Sequence, residues 1–264
     1  MINPIKSMDK AFSLDGLNAI ITGGNRGLGF GIAEAFAQSG ANVAILCRDM
    51  EKAQEALDNL RQYGGKYEAF FCDVKSLSEV RRAVDEVYES FGNIEILVNN
   101  SGISCVSDLL DMDEELTLWY DVLNTNLNGT VHMTYEVGKR MRDSGRGGSI
   151  INITSNAAYT VHKTFAMSPY SSSKAALTHF AHCMASELGK YGIRVNSLAP
   201  GFTHSDLSQN IPPDEFANIT DHTPLGRFGE PIEVGAMAVY LASPASAQVT
   251  GAELVIDGGY MLKC

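Results

Sequence analysis

Thr22-Gly23-Gly24-Asn25-Arg26-Gly27-Leu28-Gly29 decides how this chain is read. It follows a short apolar run, Ala19–Thr22, and opens a stretch of helical period, Leu28–Ser39. Glycines let a backbone turn tightly and come close to a bulky anion. A helix that starts straight after such a turn offers free N–H groups and the positive end of its dipole. The spacing is G-x-x-x-G-x-G rather than the commoner G-x-G-x-x-G, and a plain structural turn could use it. Placement between strand and helix, within a βαβ unit, points instead to a dinucleotide pyrophosphate.

Working outward, the same alternation repeats along the chain. Strand-like runs stand at Asn42–Cys47, Tyr67–Cys72, Ile94–Asn99, Ser149–Thr154, Arg194–Leu198 and Glu253–Ile256. Helical stretches separate them at Met50–Tyr63, Leu77–Phe91, Leu116–Arg142 with internal breaks, Tyr170–Lys190 and Ile232–Ala242. Alternating β and α segments with right-handed crossovers predict a parallel sheet with helices on both faces. Continuous runs such as NVAILC and EILVNN suit strands buried on both sides. No linker, low-complexity tract or charge block divides the chain. The expected architecture is one doubly wound α/β domain over residues 14–264, behind an N-terminal extension of residues 1–13. Ligands of such sheets bind at the carboxyl ends of the strands, near the point where strand order reverses.

Composition narrows the function classes. The 264 residues are 45% hydrophobic and 19% charged, as in soluble globular proteins. A formal net charge of −11 argues against a nucleic-acid binder and against docking on an anionic membrane. No apolar run approaches the length of a bilayer span, and the opening MINPIKSMDKAF has no signal-peptide core. Five scattered cysteines without a C-x-x-C pair read as reduced thiols, so a cytoplasmic protein is expected. His179 and His182 are three apart on a helix without an acidic ligand motif, and no metal site is expected.

The end of the second strand selects the dinucleotide. An acidic residue there would bind the ribose hydroxyls of NAD, whereas an arginine accommodates the 2′-phosphate of NADP. Here the strand runs into Cys47-Arg48, with Arg26 in the glycine loop as a second cation. Guanidinium groups bind phosphate bidentately, so NADP(H) is the expected cofactor. The duller reading makes Arg48 a surface cation paired with Asp49 or Glu51.

Tyr170-Ser171-Ser172-Ser173-Lys174 opens a long helix, and residues four apart share a helix face. A cation beside a phenol lowers its pKa, which would make Tyr170 a workable acid in reduction and base in oxidation. Alone, Y-x-x-x-K is a common surface pair. In order along the chain stand TGGNRGLG at 22–29, Asp73-Val74, Asn99-Asn100-Ser101-Gly102, Asn126 within NTNLNG, Ser155 within INITS, Tyr170 with Lys174, and Pro200-Gly201. With these motifs the chain, from about Leu14 to Gly259, resembles the short-chain dehydrogenase/reductase family.

That resemblance implies a Rossmann fold with a seven-stranded parallel sheet and a reaction interconverting a ketone and a secondary alcohol. Tyr170 would move the proton, Ser155 would orient the substrate oxygen, and Lys174 would lower the Tyr170 pKa and hold the nicotinamide ribose. Asn126 would kink its helix and anchor a water leading from Lys174. The cofactor would rest on Gly23, Asn25, Arg26, Gly27, Leu28, Gly29 and Arg48. Further along, Asp73, Val74, Asn99 and Gly102 would hold the adenosine portion, and Pro200, Gly201, Thr203 and Ser205 the nicotinamide. Duller roles exist: a turn or helix cap for Asp73, a buried amide for Asn126, and Thr154 mistaken for Ser155. The family usually forms homotetramers.

Candidate substrate contacts are Asn156, Tyr159, His162, Phe165, Met167 and Leu207, with Phe202–Phe216 as a lid. A small-molecule carbonyl or alcohol is expected, and the overall flavour resembles sugar and polyol reductases such as sorbose reductase or gluconate dehydrogenase. The alternatives are a hydroxysteroid or other alicyclic ketone, a 3-oxoacyl thioester, or a catalytically idle NADP(H) sensor. Against the thioester, positions that would grip an acidic carrier protein appear as Ser149 and Tyr191 rather than arginine.

Overall fold

In the computed structural model, which describes residues 7–161, 165–205, 208 and 211–262, seven strands lie in one parallel sheet. They are β1 (Asn18–Thr22), β2 (Asn42–Cys47), β3 (Tyr67–Phe71), β4 (Ile96–Asn99), β5 (Gly148–Ile153), β6 (Ile193–Pro200) and β7 (Glu253–Ile256). Their order across the sheet is β3-β2-β1-β4-β5-β6-β7. Strand order therefore reverses between β1 and β4, and a crevice opens there beyond Thr22 and Asn99.

Alternation of side chains sends successive residues of each strand to opposite faces, and both faces are covered. Ile21, Ile45, Val98 and Ile151 pack under α1 (Gly27–Gln38), α2 (Met50–Leu60) and α8 (Pro231–Ala242). Ile20, Leu46, Leu97 and Ile150 pack under α3 (Leu77–Phe91), α5 (Gly129–Ser144) and α6 (Ser168–Leu188). This double burial is why the strands read as continuous apolar runs. No described helix is long and apolar enough to cross a membrane.

Several element ends differ from the sequence reading by a few residues; β6, for one, runs from Ile193 to Pro200. The long 116–142 segment resolves into α4 (Thr117–Leu123), a π-helical turn at Asn124–Asn128, and α5. A helix, α7 (Pro213–Asp221), begins inside the Phe202–Phe216 segment expected as a lid and runs past its end, started by Pro213 at a position where the missing N–H costs nothing. Packing onto the domain also begins before residue 14, since Ala11 is buried and its carbonyl accepts a hydrogen bond from the Ala245 N–H at 2.8 Å.

Candidate active site

A cavity of about 570 Å³ follows the carboxyl ends of the strands. One end is formed by the glycine turn. Gly23 and Gly27 have φ of +65° and +52°, angles that L side chains rarely adopt. A Cβ on Gly29 would stand 2.1 Å from the Gly23 carbonyl oxygen, so the cradle closes only without side chains. Asn100 Nδ2 braces it, donating to the carbonyls of Thr22 at 2.9 Å and Gly23 at 3.2 Å. Thr22 Oγ1 accepts the N–H groups of Asn100 and Ser101, which ties β1 to the loop after β4 across the crevice. No side chain caps the start of α1, whose first turn faces the cradle. The turn suits a dinucleotide pyrophosphate.

Arg48 lines the same cavity, and its nearest carboxylate is Asp73 at 3.9 Å rather than Asp49 or Glu51. Asp49 instead caps α2 by accepting from the Lys52 N–H at 3.1 Å. Burial pushes the Cys47 thiol up to about 11 and the Cys72 thiol up to about 12, so both behave as wall material. Asp73 and Val74 stand at the cavity wall. Their corner is fixed by the Asp73 N–H bonded to Glu79 at 2.9 Å and by the Val74 carbonyl 2.9 Å from His132 Nδ1.

At the other end, Ser155 and Tyr170 line the cavity together, with Ser155 favouring the Tyr170 phenolate. Ser155 Oγ accepts the Ala157 N–H at 3.1 Å. The neighbouring Thr154 hydroxyl instead donates to the Leu198 carbonyl at 3.1 Å. Lys174 Nζ donates to the Ile153 carbonyl at 2.8 Å and lies 5.6 Å from the centroid of the Tyr170 ring. The electrostatics differ from the sequence expectation. Burial, which disfavours phenolate, holds Tyr170 above its ordinary pKa, and only the Ser155 hydrogen bond opposes it. Burial likewise pulls Lys174 down to about 8, still above neutrality.

Asn126 is fully buried in the π-helical turn. Its Oδ1 accepts the Ile103 N–H at 2.8 Å, and its Nδ2 donates to the Ile103 carbonyl and to Ser173 Oγ, each at 3.0 Å. It thus ties the loop after β4 to α6 without reaching the cavity wall.

Most of the remaining expected residues line the cavity: Asn25, Arg26, Leu28, Gly102, Pro200, Gly201, Thr203, Ser205, Asn156, Phe165 and Met167. Two do not. Asn99 turns its side chain into the interior, donating to Thr134 Oγ1 at 3.1 Å and Asn152 Oδ1 at 2.9 Å. Tyr159 donates to Glu253 at 2.6 Å beside His182, away from the cavity lining. His162 and Leu207 lie outside the described residues. Ser149 is interior too, its hydroxyl bonded to the Leu241 carbonyl, so no protein partner can reach it. Among lining residues that sequence reasoning missed, Ile103, Ser104 and Val106 follow the Asn100–Gly102 turn directly, and that adjacency was the available signal. Phe202 and Ile211, inside the segment expected as a lid, line the cavity and pack into a cluster with Phe228 and Tyr260.

Comparison with known proteins agrees with this geometry. The short-chain dehydrogenase pattern described as enoyl-(acyl carrier protein) reductase matches residues 23–261. D-threitol dehydrogenase of Mycolicibacterium smegmatis is 38% identical over 97% of this chain and 97% of its own. Sorbose reductase of Candida albicans is 34% identical over 94% of this chain and 88% of its own. The crystal structure of a gluconate 5-dehydrogenase from Burkholderia cenocepacia, in complex with NADP and tartrate, superposes with a TM-score of 0.90. It is 33% identical and covers 97% of this chain and 99% of its own. With its switch-point cavity, glycine cradle and Ser155–Tyr170–Lys174 cluster, the chain belongs to the short-chain dehydrogenase/reductase family.

Proposed function

We propose that this protein is an NADP(H)-dependent oxidoreductase interconverting a ketone and a secondary alcohol of a sugar, polyol or sugar acid, as a cytoplasmic homotetramer. The observation that carries it is that Ser155, Tyr170 and Lys174 together line one end of the cavity whose other end is the glycine cradle. The relatives supply the substrate direction: a tetritol dehydrogenase and a ketose reductase over nearly the whole chain.

Bound cofactor would supply or accept the hydride. It would lie with its pyrophosphate on Gly23–Gly29, its 2′-phosphate toward Arg48 and Arg26, and its adenosine against Asp73, Val74 and Gly102. Pro200, Gly201, Thr203 and Ser205 would hold its nicotinamide end. The protein's own part is proton transfer and orientation. In reduction, Tyr170 Oη gives its proton to the substrate oxygen as charge develops there; in oxidation it takes the proton back. A phenol whose pKa lies above its ordinary value is protonated at neutral pH, which is the form reduction needs. Ser155 Oγ holds the same oxygen, an electrostatic contribution made by a donor already in place. Lys174, buried behind Tyr170, favours the phenolate once the proton has left.

The test is NADPH oxidation with ketoses, keto-sugar acids, steroid ketones and acyl thioesters, repeated with NADH. Ketoses or keto-sugar acids are expected to turn over, with NADPH at least 10-fold preferred on the strength of the guanidinium–phosphate contacts (roughly 1.5–3 kcal/mol for a charge-assisted bond). Turnover confined to steroid ketones or thioesters would contradict the substrate class. Preference for NADH would contradict the roles of Arg48 and Arg26.

A further inference from the structure

Tyr170, Lys174, Thr178 and His182 follow one another at intervals of four on α6, so they form one ridge along the helix. The first half of the ridge meets the cavity at Tyr170 and Lys174. The second half meets a polar cluster outside the cavity lining. There Tyr159 Oη donates to Glu253 Oε2 at 2.6 Å and lies 3.5 Å from Thr178 Oγ1. His182 Nε2 lies 2.8 Å from the other carboxylate oxygen, Glu253 Oε1. One carboxylate on β7 is thus shared between the turn after β5 and α6.

Those two elements carry the reacting pair. Tyr159 closes a turn that begins at Ser155. The Ala157 N–H donates to Ser155 Oγ at 3.1 Å, the Ala158 N–H to the Ser155 carbonyl at 3.0 Å, and the Tyr159 N–H to the Asn156 carbonyl at 3.0 Å. Held this way the turn moves as a unit, and a displacement of Tyr159 reaches Ser155. Burial, with the Glu253 hydrogen bond adding to it, pushes the Tyr159 phenol up to about 12, so it stays a donor at neutral pH. A bond from such a donor to a carboxylate is about twice as strong as one between neutral groups.

We propose that Glu253 and Tyr159 are positioning residues: with His182 they set the Ser155 turn against the helix that carries Tyr170, and so fix the distance across which the two hydroxyls share the substrate oxygen. The inference rests on the reading of Ser155 and Tyr170 as the reacting pair. Neither Glu253 nor Tyr159 lines the cavity, so both act through Ser155.

The experiment measures kcat with NADPH and a ketose that turns over. Tyr159→Phe keeps the ring and removes the hydroxyl. Its kcat is expected to fall roughly 5- to 50-fold, within the 10²-fold that misplacing a group by about 1 Å can cost. In a Ser155→Ala background the same change should cost less than about 2-fold, because the turn then has no hydroxyl to place. Glu253→Leu should match Tyr159→Phe, whereas Glu253→Gln, which still offers Tyr159 an oxygen, should keep most of the rate. A merely structural role would cost the same factor with or without Ser155. That result, or a wild-type rate in Tyr159→Phe, overturns the proposal.

Hydrogen exchange separates this inference from the proposed reaction, since it needs no turnover. The amides of residues 157–160 should exchange roughly 10-fold faster in Tyr159→Phe and in Glu253→Leu than in the wild-type protein, the value of one lost bond. Unchanged exchange overturns the proposal even if ketoses are reduced. Faster exchange in a protein that reduces no ketone supports the link from Glu253 to the turn and contradicts the ketone–alcohol reading.

Discussion

Replacing Tyr170 with Phe is expected to lower kcat by about 10²- to 10⁴-fold, the usual contribution of a positioned acid/base. Cofactor affinity should stay within a few-fold. The variant removes one oxygen from a ring that is otherwise retained, and the cofactor cradle is built by other residues. Ser155 Oγ keeps its bond from the Ala157 N–H, so the turn after β5 need not rearrange. Fluorescence titration of NADPH alongside steady-state rates checks both halves. Turnover near the wild-type value would remove Tyr170 from the proton-transfer role. Loss of NADPH binding together with turnover would mean that the hydroxyl supports the cofactor rather than the proton.

Gly31→Val should show the largest loss of stability. Helices α1 and α8 cross at two glycines: a Cβ on Gly31 would stand 2.5 Å from Pro231, and one on Gly235 would stand 2.5 Å from the Gly31 carbonyl oxygen. The obstacles are backbone and a proline ring, which cannot swing aside as a flexible side chain would. Overpacking costs roughly 1–3 kcal/mol and occasionally more. For a chain of this size that corresponds to a Tm lower by about 2–12 °C. Because α1 begins at the glycine cradle, NADPH affinity should fall as well. Gly189→Ala is the control: its φ is negative and nothing lies within 4 Å of the added methyl, so Tm should hold within about 2 °C.

The sheet was legible because each strand is buried on both faces and the glycine turn sits between a strand and a helix. Those features need no long-range information. The places where sequence reading fell short turn on contacts between distant segments. Asn99 and Asn100 are neighbours of one residue type, yet strand alternation sends Asn99 inward to Asn152 while Asn100 braces the cradle. Tyr159 stands near Ser155 in sequence, but the turn beginning at Asn156 carries its ring to Glu253, 94 residues away. The pKa of Tyr170 was expected to fall beside Lys174, but burial acts on both groups and reverses the sign. Spacing reveals that two groups share a helix face; it does not reveal how deeply they are buried.

The most direct test of hydride transfer follows a label. NADPH carrying deuterium at the transferable position of nicotinamide C4 is incubated with a ketose that turns over, and the polyol is analysed by mass spectrometry. Expected is one deuterium on the carbon that bears the new hydroxyl, delivered from a single face of the ring, at a rate that collapses in Tyr170→Phe. Polyol without label, or label appearing equally fast in the variant, would contradict a Tyr170-assisted hydride transfer from NADPH to the carbonyl carbon.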